Sequence, residues 1–391
     1  WRVPRYVYLV EGDSRFLLDL EHPYFLRELR RTLRKQATDE DIILQEMLPD
    51  FEHLWLRDTH NAPYISELVI PLMPRQSAAI AENKQATGAQ SKYCHRIVRQ
   101  QERQQLPGGE WTSLKLYTAI KRQNDIIAGP MRDFVRSIQE QGLIDSWFFV
   151  RYVDPDPHLR IRFHASAPQC QDQLLITALA WGRTLVQDAL VKRIGVDEYS
   201  REVERYGGPL ALDAIERVFC ASSHIASDIL ALYSTRQLTC DPIVTAVLSL
   251  DLFFETWGLT LEERLYRIQY WVEKDAYKDL FRPLRKLLCE FLAPWDTDDA
   301  IEVNRQRELL RNVANAQART IRATARCIYE LATSGDLWQS EDYILSSLAH
   351  MHLNRLQEMS QEQEKKAYAC WKYTLESILS RQAADDRIVK N

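Results

Sequence analysis

The feature that most limits what this chain can become is a change of hydrophobic period along its length. Between Trp111 and Tyr206 short runs alternate apolar and polar residues, separated by stretches of helical spacing; beyond Pro209 helical spacing takes over. A period of two sends successive side chains to opposite faces of a strand, whereas a spacing of three to four paints one stripe of a helix. The order read from these periods is a strand over 111–118, a helix over about 125–140, strands over 147–153 and 159–165, and a helix over about 170–193. A segment over 199–206 follows that reads equally as extended or helical. This order predicts an α+β fold: a split βαβ-type mixed sheet with helices on one face, followed by a mainly helical bundle. Gly258, Pro283, Pro294 and Gly335 punctuate the helical part.

A smaller module comes first. Residues 6–21 read as a hairpin in which YVYLV and FLLDL flank Glu11-Gly12-Asp13-Ser14, the Gly and Asp supplying turn conformations. A short helix over 23–35 and a strand over 67–73 follow. From Arg75 to Glu110 the chain turns polar and rich in Gln and Ala, which predicts a linker over 75–110 with a boundary near Gly108-Gly109. A length of 391 residues fits two domains better than one core.

With a net charge of -5 and a pI near 6.1, nothing global advertises nucleic-acid binding. The densest basic run, Arg27, Arg30, Arg31, Arg34 and Lys35, has the spacing of one solvated helix face. The seven cysteines are scattered, odd in number and never spaced Cys-x-x-Cys, which points to reduced thiols in a cytoplasmic protein and away from structural zinc. The longest apolar stretch, 243–254, is broken by Thr245, Ser249 and Asp251 and falls short of the roughly 20 residues of a membrane span. The chain opens at Trp1 on a strand-like segment without a signal-peptide pattern, and reads as a piece of something longer.

Three short segments carry chemistry. In Asp154-Pro155-Asp156-Pro157-His158-Leu159-Arg160-Ile161-Arg162-Phe163, two prolines stiffen the approach to a strand. Alternation then puts His158, Arg160 and Arg162 on one face and Leu159, Ile161 and Phe163 on the other. Neighbouring guanidiniums repel, so that face either meets water and acidic partners or binds anions, and a planar guanidinium fork suits a carboxylate. In Arg201-Glu202-Val203-Glu204-Arg205-Tyr206-Gly207-Gly208, Glu202 and Arg205 share a face if the segment is helical and point apart if it is a strand. In Ala349-His350-Met351-His352-Leu353-Asn354-Arg355, a helical context puts His350 and His352 on opposing sides, unable to chelate one metal together, while His350 and Asn354 share a face. An ion pair before a turn and a structural histidine are the plain readings of the last two segments. The chain has no Walker loop, no Gly-x-Gly-x-x-Gly, no Gly-x-Ser-x-Gly and no His-Glu-x-x-His.

The ordered stretches WTSLKLYT, WFFVRYVDPDPHLRIRF, EYSREVERYGG and LAHMHLNRL resemble the C-terminal, glutamate-eliminating domain of lantibiotic (class I lanthipeptide) and thiopeptide dehydratases. PRYVYLVEGDSRFLLDLEHP and ELVIPLMPR resemble the closing segment of that family's tRNA-dependent glutamylation domain. The resemblance thus implies a glutamylation-domain tail over 1–74, a linker over 75–110 and an elimination domain over 111–391. It further implies elimination of glutamate from glutamylated Ser and Thr of a precursor peptide, giving dehydroalanine and dehydrobutyrine. By similarity the functional residues are Arg160, Arg162, Glu202, Arg205 and His350. The arginines are expected to grip the glutamyl carboxylates and the leaving oxygen, Glu202 to orient Arg205, and His350 to carry a proton as base or acid. No cofactor is implied in this chain, glutamyl-tRNA being the co-substrate of the separate glutamylation step. The implied partners are the glutamylated precursor, the glutamylation domain, other maturation enzymes such as a cyclase, and a second copy of the chain. A thiopeptide pyridine synthase and a non-catalytic peptide-binding scaffold are the competing readings; the leading module speaks against the first and the full set of five residues against the second.

Overall fold

The structure, a computed structural model, describes residues 3–11, 14–35, 43–47, 51, 53–63, 98–293, 301–356 and 361–390. The chain divides into two compact units, 1–87 and 88–391.

In the first unit the expected hairpin forms from β1 (Tyr6–Glu11) and β2 (Ser14–Asp19), paired antiparallel with Val7 opposite Leu18. Val7, Leu9 and Leu18 make a small core against Leu20, Phe25 and Leu29, the last two from α1 (Pro23–Lys35). Arg27, Arg30, Arg31 and Arg34 are exposed along α1, the solvated face read from their spacing. A third strand, β3 (Ile43–Glu46), pairs with the free side of β1 and was not legible in the sequence. All four of its residues are exposed, so no burial selects an alternating pattern. The strand expected over 67–73 lies outside the described residues.

The second unit begins earlier than the polar tract suggested. Its described part from Val98 holds α2 (Gln100–Arg103) and β4 (Gln104–Gln105), and β4 pairs with β9 (Tyr199–Ser200). Within the linker expected over 75–110, with its boundary at Gly108-Gly109, residues 100–105 thus form regular structure, and residues 75–97 lie outside the described residues. Two strand residues whose partner lies far along the chain leave no periodic signature.

The main sheet is built from β5 (Trp111–Tyr117), β6 (Ser146–Tyr152), β7 (His158–His164) and β8 (Arg193–Asp197), in the order β6-β7-β5-β8. The α+β class and the three strands read over 111–118, 147–153 and 159–165 are as expected, whereas β8 was not read. The helix expected to about residue 193 ends at Gln187, and of the ambiguous 199–206 segment only Tyr199–Ser200 is a strand, in the small sheet with β4. The mixed sheet proves antiparallel at each of its pairings, because β6 and β7 form a hairpin across the Asp-Pro-Asp-Pro segment and both β7 and β8 run against the central β5. The first helix starts at Ile120 rather than near Asp125: α3 (Ile120–Ile126) runs through a widened π-turn (Ile127–Met131) into α4 (Arg132–Glu140). Pro130 sits in that turn, where the wider hydrogen-bonding accommodates its missing N–H. Next comes α5 (Pro168–Gln187). Helices α4 and α5 cover the face bearing Leu159, Ile161 and Phe163: Phe134 meets Phe163 at 5.7 Å between ring centroids and stacks on Trp181 at 4.3 Å.

The bundle consists of α6 (Leu212–Ser234), α7 (Pro242–Trp257), α8 (Leu261–Ile268), α9 (Lys278–Leu292), α10 (Ile301–Ser334), α11 (Glu341–Leu356) and α12 (Gln361–Lys390). The apolar run of α7 is bundle core. Asp241 caps its start by accepting the Ile243 N–H at 2.7 Å, and Gly258 ends it in the left-handed region. Pro283, expected as punctuation, instead lies inside α9. Among the described residues no single helix is long and apolar enough to cross a membrane.

Sheet and bundle meet at β6, the strand on one edge of the sheet. Edge strands present unpaired backbone groups that must find partners when buried. Here side chains supply them. Phe149 N–H donates to Ser223 Oγ (3.2 Å) and Arg151 N–H to Asn354 Oδ1 (2.9 Å). Asn354 Nδ2 donates to the Arg151 carbonyl (3.2 Å) and Arg355 Nε to that of Phe149 (2.9 Å). Asn354 thus imitates the missing strand and fixes α11 against the sheet.

Candidate active site

The alternation of β7 places His158, Arg160 and Arg162 on one face, opposite Tyr117, Lys115 and Ser113 of β5 and Tyr152, Val150 and Phe148 of β6. That face is not the solvent-washed row with acidic partners that one reading allowed. His158 is fully buried, with the rings of Tyr117 and Tyr152 at 4.9 and 5.6 Å. The Arg160 guanidinium lies 3.6 Å from the Tyr152 ring centroid. Arg162, 9% exposed, lies 4.3 Å from the Tyr199 ring and 5.1 Å from that of Phe148. Its Nε is buried without a hydrogen-bond partner. Among the described residues neither Arg160 nor Arg162 forms an ion pair. Burial pushes the Arg162 guanidinium below its ordinary range, against the opposing influence of Tyr199 and Tyr152. Aromatic faces offset part of the cost of desolvating a guanidinium, but they do not neutralise it.

The segment after β9, which the sequence left between strand and helix, forms a helical turn. Tyr206 N–H reaches the Glu202 carbonyl at 3.3 Å, and Gly208 N–H that of Val203 at 2.9 Å. Glu202 and Arg205 therefore share a side, with Arg205 Nη1 at 3.4 Å from Glu202 Oε2. Arg205 Nε also donates to Ser347 Oγ on α11 at 3.3 Å. Gly208, at φ 96°, makes this docking possible, since a Cβ there would stand 2.6 Å from the Trp338 ring. Tyr206 packs edge-on against Phe219 at 5.0 Å. Burial first, then the charge of Glu202, pushes its phenol upward, against the pull of Arg205 and Arg355.

His350 lies one helical turn beyond Ser347. Its Nδ1 is 2.9 Å from both carboxylate oxygens of Glu364 on α12, and Tyr368 Oη donates to the same carboxylate at 2.8 Å. A carboxylate accepts, so Nδ1 carries hydrogen, while Nε2 makes no hydrogen bond among the described residues. As the spacing requires, His352 faces away: it is buried between the hydroxyls of Ser222 and Ser249, each at 2.9 Å. Burial, and then the charge of Arg355, holds its pKa down to about 3.

Hydrogen bonds from one helix link the elements that carry these residues. Ser347, His350 and Asn354 fall on one stripe of α11, with His350 rising about 4.5 Å from the first and about 6 Å from the last. Ser347 is bonded to Arg205, and Asn354 to the backbone of Arg151, whose neighbour Tyr152 carries Arg160. The helical segment bearing His350 is thus pinned between the Glu202–Arg205 turn and the strand hairpin bearing Arg160 and Arg162. Sequence reasoning missed Glu364 and Arg355. Arg355 is fully buried; it donates to the carbonyls of Phe149 and Met351 (2.9 Å each), and burial lowers its pKa to about 9. Its one signal was a charged residue between Leu353 and Leu356, whereas nothing local ties Glu364 to His350.

Compared with known proteins, residues 111–375 match the family described as lantibiotic biosynthesis dehydratase C-term. The subtilin biosynthesis protein SpaB of Bacillus subtilis is 26% identical over 382 residues, covering 96% of this chain and 35% of SpaB. The nisin biosynthesis protein NisB of Lactococcus lactis subsp. lactis is 24% identical over 383 residues, with the same coverage of 96% and 35%. The crystal structure of the tRNA-dependent lantibiotic dehydratase MibB from Microbispora sp. 107891 shares the fold, with a TM-score of 0.55 at 23% identity over 97% of this chain and 37% of that one. The chain therefore spans about a third of the length of these relatives.

Proposed function

This chain belongs to the lantibiotic biosynthesis dehydratase C-terminal family, and from that membership we propose that it is the glutamate-eliminating half of such a dehydratase. Its substrate is a precursor peptide bearing glutamate esterified to Ser or Thr. The Cα–H proton is removed, its electron pair forms the Cα=Cβ bond, and the Cβ–O bond breaks to release glutamate as a carboxylate. Dehydroalanine or dehydrobutyrine remains.

The observation that carries this reading is the Arg162 guanidinium, buried on Tyr199 and Phe148 with no carboxylate hydrogen-bonded to it among the described residues. A buried cation without a counter-charge is unfavourable until an anion arrives. Arg160 and Arg205 offer further guanidinium donors, and Glu202 steadies Arg205. Such oriented donors stabilise the enolate-like charge and the departing carboxylate. His350 acts as general base through Nε2, and Glu364, accepting from Nδ1, fixes the ring in the tautomer that leaves Nε2 without hydrogen.

In this reading the leading unit is the tail of the glutamylation domain, and glutamyl-tRNA serves that separate step. The elimination half itself uses no cofactor. Its partners are the glutamylated peptide, the rest of the glutamylation domain, a cyclase acting downstream and a second copy of the chain.

The test is to incubate the chain with a peptide glutamylated on Ser and to follow free glutamate and peptide mass. Release of glutamate with the matching mass loss is expected. His350→Ala and Arg205→Ala should stay folded and slow release by roughly 100- to 1,000-fold, the size of an oxyanion-donor loss. A folded chain that releases none would shift the reading to a peptide-binding scaffold.

A further inference from the structure

We propose that His158, which lies outside the set of five, is the positioning residue for Arg160. It is a neutral imidazole that holds the Arg160 Nε and so aims the two terminal nitrogens at the substrate anion. This rests on the elimination reading above.

The geometry determines the tautomer. His158 Nδ1 is 2.7 Å from the Asp156 carbonyl oxygen, which can only accept, so Nδ1 carries the hydrogen. Arg160 Nε is 3.0 Å from His158 Nε2, and a guanidinium N–H can only donate, so Nε2 carries none. Both ring nitrogens are therefore engaged, and the ring is uncharged.

Its surroundings enforce that state from every side. Tyr117 of β5 and Tyr152 of β6 pack on the ring, and no part of it reaches solvent. Lys115 of β5, Arg160 of β7 and Arg193 of β8 supply positive charge nearby, and the Asp156 carbonyl draws the other way. Burial, followed by those cations, pushes His158 below the ordinary histidine range. A proton on Nε2 would set two donors against each other and release the guanidinium.

Arg160 needs such a holder because no carboxylate among the described residues holds it. Among the described residues it also rests on the Tyr152 ring, 3.6 Å away, which fixes the plane of the guanidinium but not its rotation within that plane. An aspartate in place of His158 would also accept from Nε, but its charge would compete with the substrate carboxylate. A neutral acceptor orients the arginine and leaves its charge free.

Two substitutions separate the acceptor from the packing. His158→Phe keeps an aromatic ring between the tyrosines and removes the acceptor; His158→Gln keeps an acceptor and gives up the ring. With glutamylated Ser peptide, His158→Phe should lower kcat/KM of glutamate release by up to roughly 100-fold, the scale of a misplaced catalytic group. His158→Gln should stay within a few fold of wild type. In a double-mutant cycle, His158→Phe on top of Arg160→Ala should bring little further loss. A fully active His158→Phe, or losses that multiply in the double mutant, would overturn the proposal. If the wild-type chain itself releases no glutamate, it is the elimination reading that fails. The tautomer is then still decided by 15N spectra of the wild-type ring, where hydrogen on Nδ1 alone is expected and hydrogen on Nε2 refutes the arrangement.

Discussion

Two arginines in this molecule are buried to similar depth and kept in opposite company. Arg264, in the helical bundle, pairs with Asp251 at 2.8 Å, and that carboxylate also accepts the Trp371 indole N–H at 2.8 Å. Arg162, on the sheet face, meets aromatic rings and leaves a buried nitrogen unpartnered. At Arg264 the charge is closed by a carboxylate, as suits a group that only maintains a fold. The sheet face leaves its charge open, which is what a site for an incoming carboxylate requires.

This contrast can be broken at either end. Asp251→Ala should destabilise the fold by about 3 to 5 kcal/mol, because it strands a buried cation; urea unfolding reads the change. Glutamate release by the fraction still folded should be little altered. Arg162→Met should do the reverse, lowering glutamate release by roughly 100- to 1,000-fold while leaving the urea midpoint unchanged or higher, since it removes an unpaired buried charge. If Arg162→Met unfolds the protein as readily as Asp251→Ala, the two arginines have the same role and the contrast fails.

The smallest effect concerns pH. His352 is neutral in the fold, its pKa depressed to about 3, while in the unfolded chain it returns to about 6.5. Its folded value is the lower one, so its contribution to stability is complete above about pH 6.5 and is lost as pH falls from there toward 3. A urea midpoint that declines over this window in the wild type, and less steeply in His352→Asn, is expected. Equal slopes would show that burial of this imidazole does not govern the acid response.

Several features were legible in the sequence because they are local. The alternation over 158–163 correctly separated Arg160 and Arg162 from Leu159, Ile161 and Phe163. The two-residue spacing of His350 and His352 correctly put them on different sides of α11. The three-residue spacing of Glu202 and Arg205 was ambiguous because Tyr199 to Gly208 is short, with a two-residue strand at its start and a turn afterwards. The β4–β9 pairing and β3 were invisible for the same reason: two to four residues are too few to impose a period.

Alone, the sequence determined the α+β class, the first three strands of the main sheet, and which side chains of β7 share a face, because each follows from backbone geometry over a few neighbouring residues. The tertiary structure alone decided what those faces meet. The Arg205–Ser347 bond joins residues 142 apart, and the Arg151–Asn354 clamp joins residues 203 apart. Whether a guanidinium meets a carboxylate, a tyrosine ring or a histidine depends on such long closures, and hydrophobic period carries no information about them.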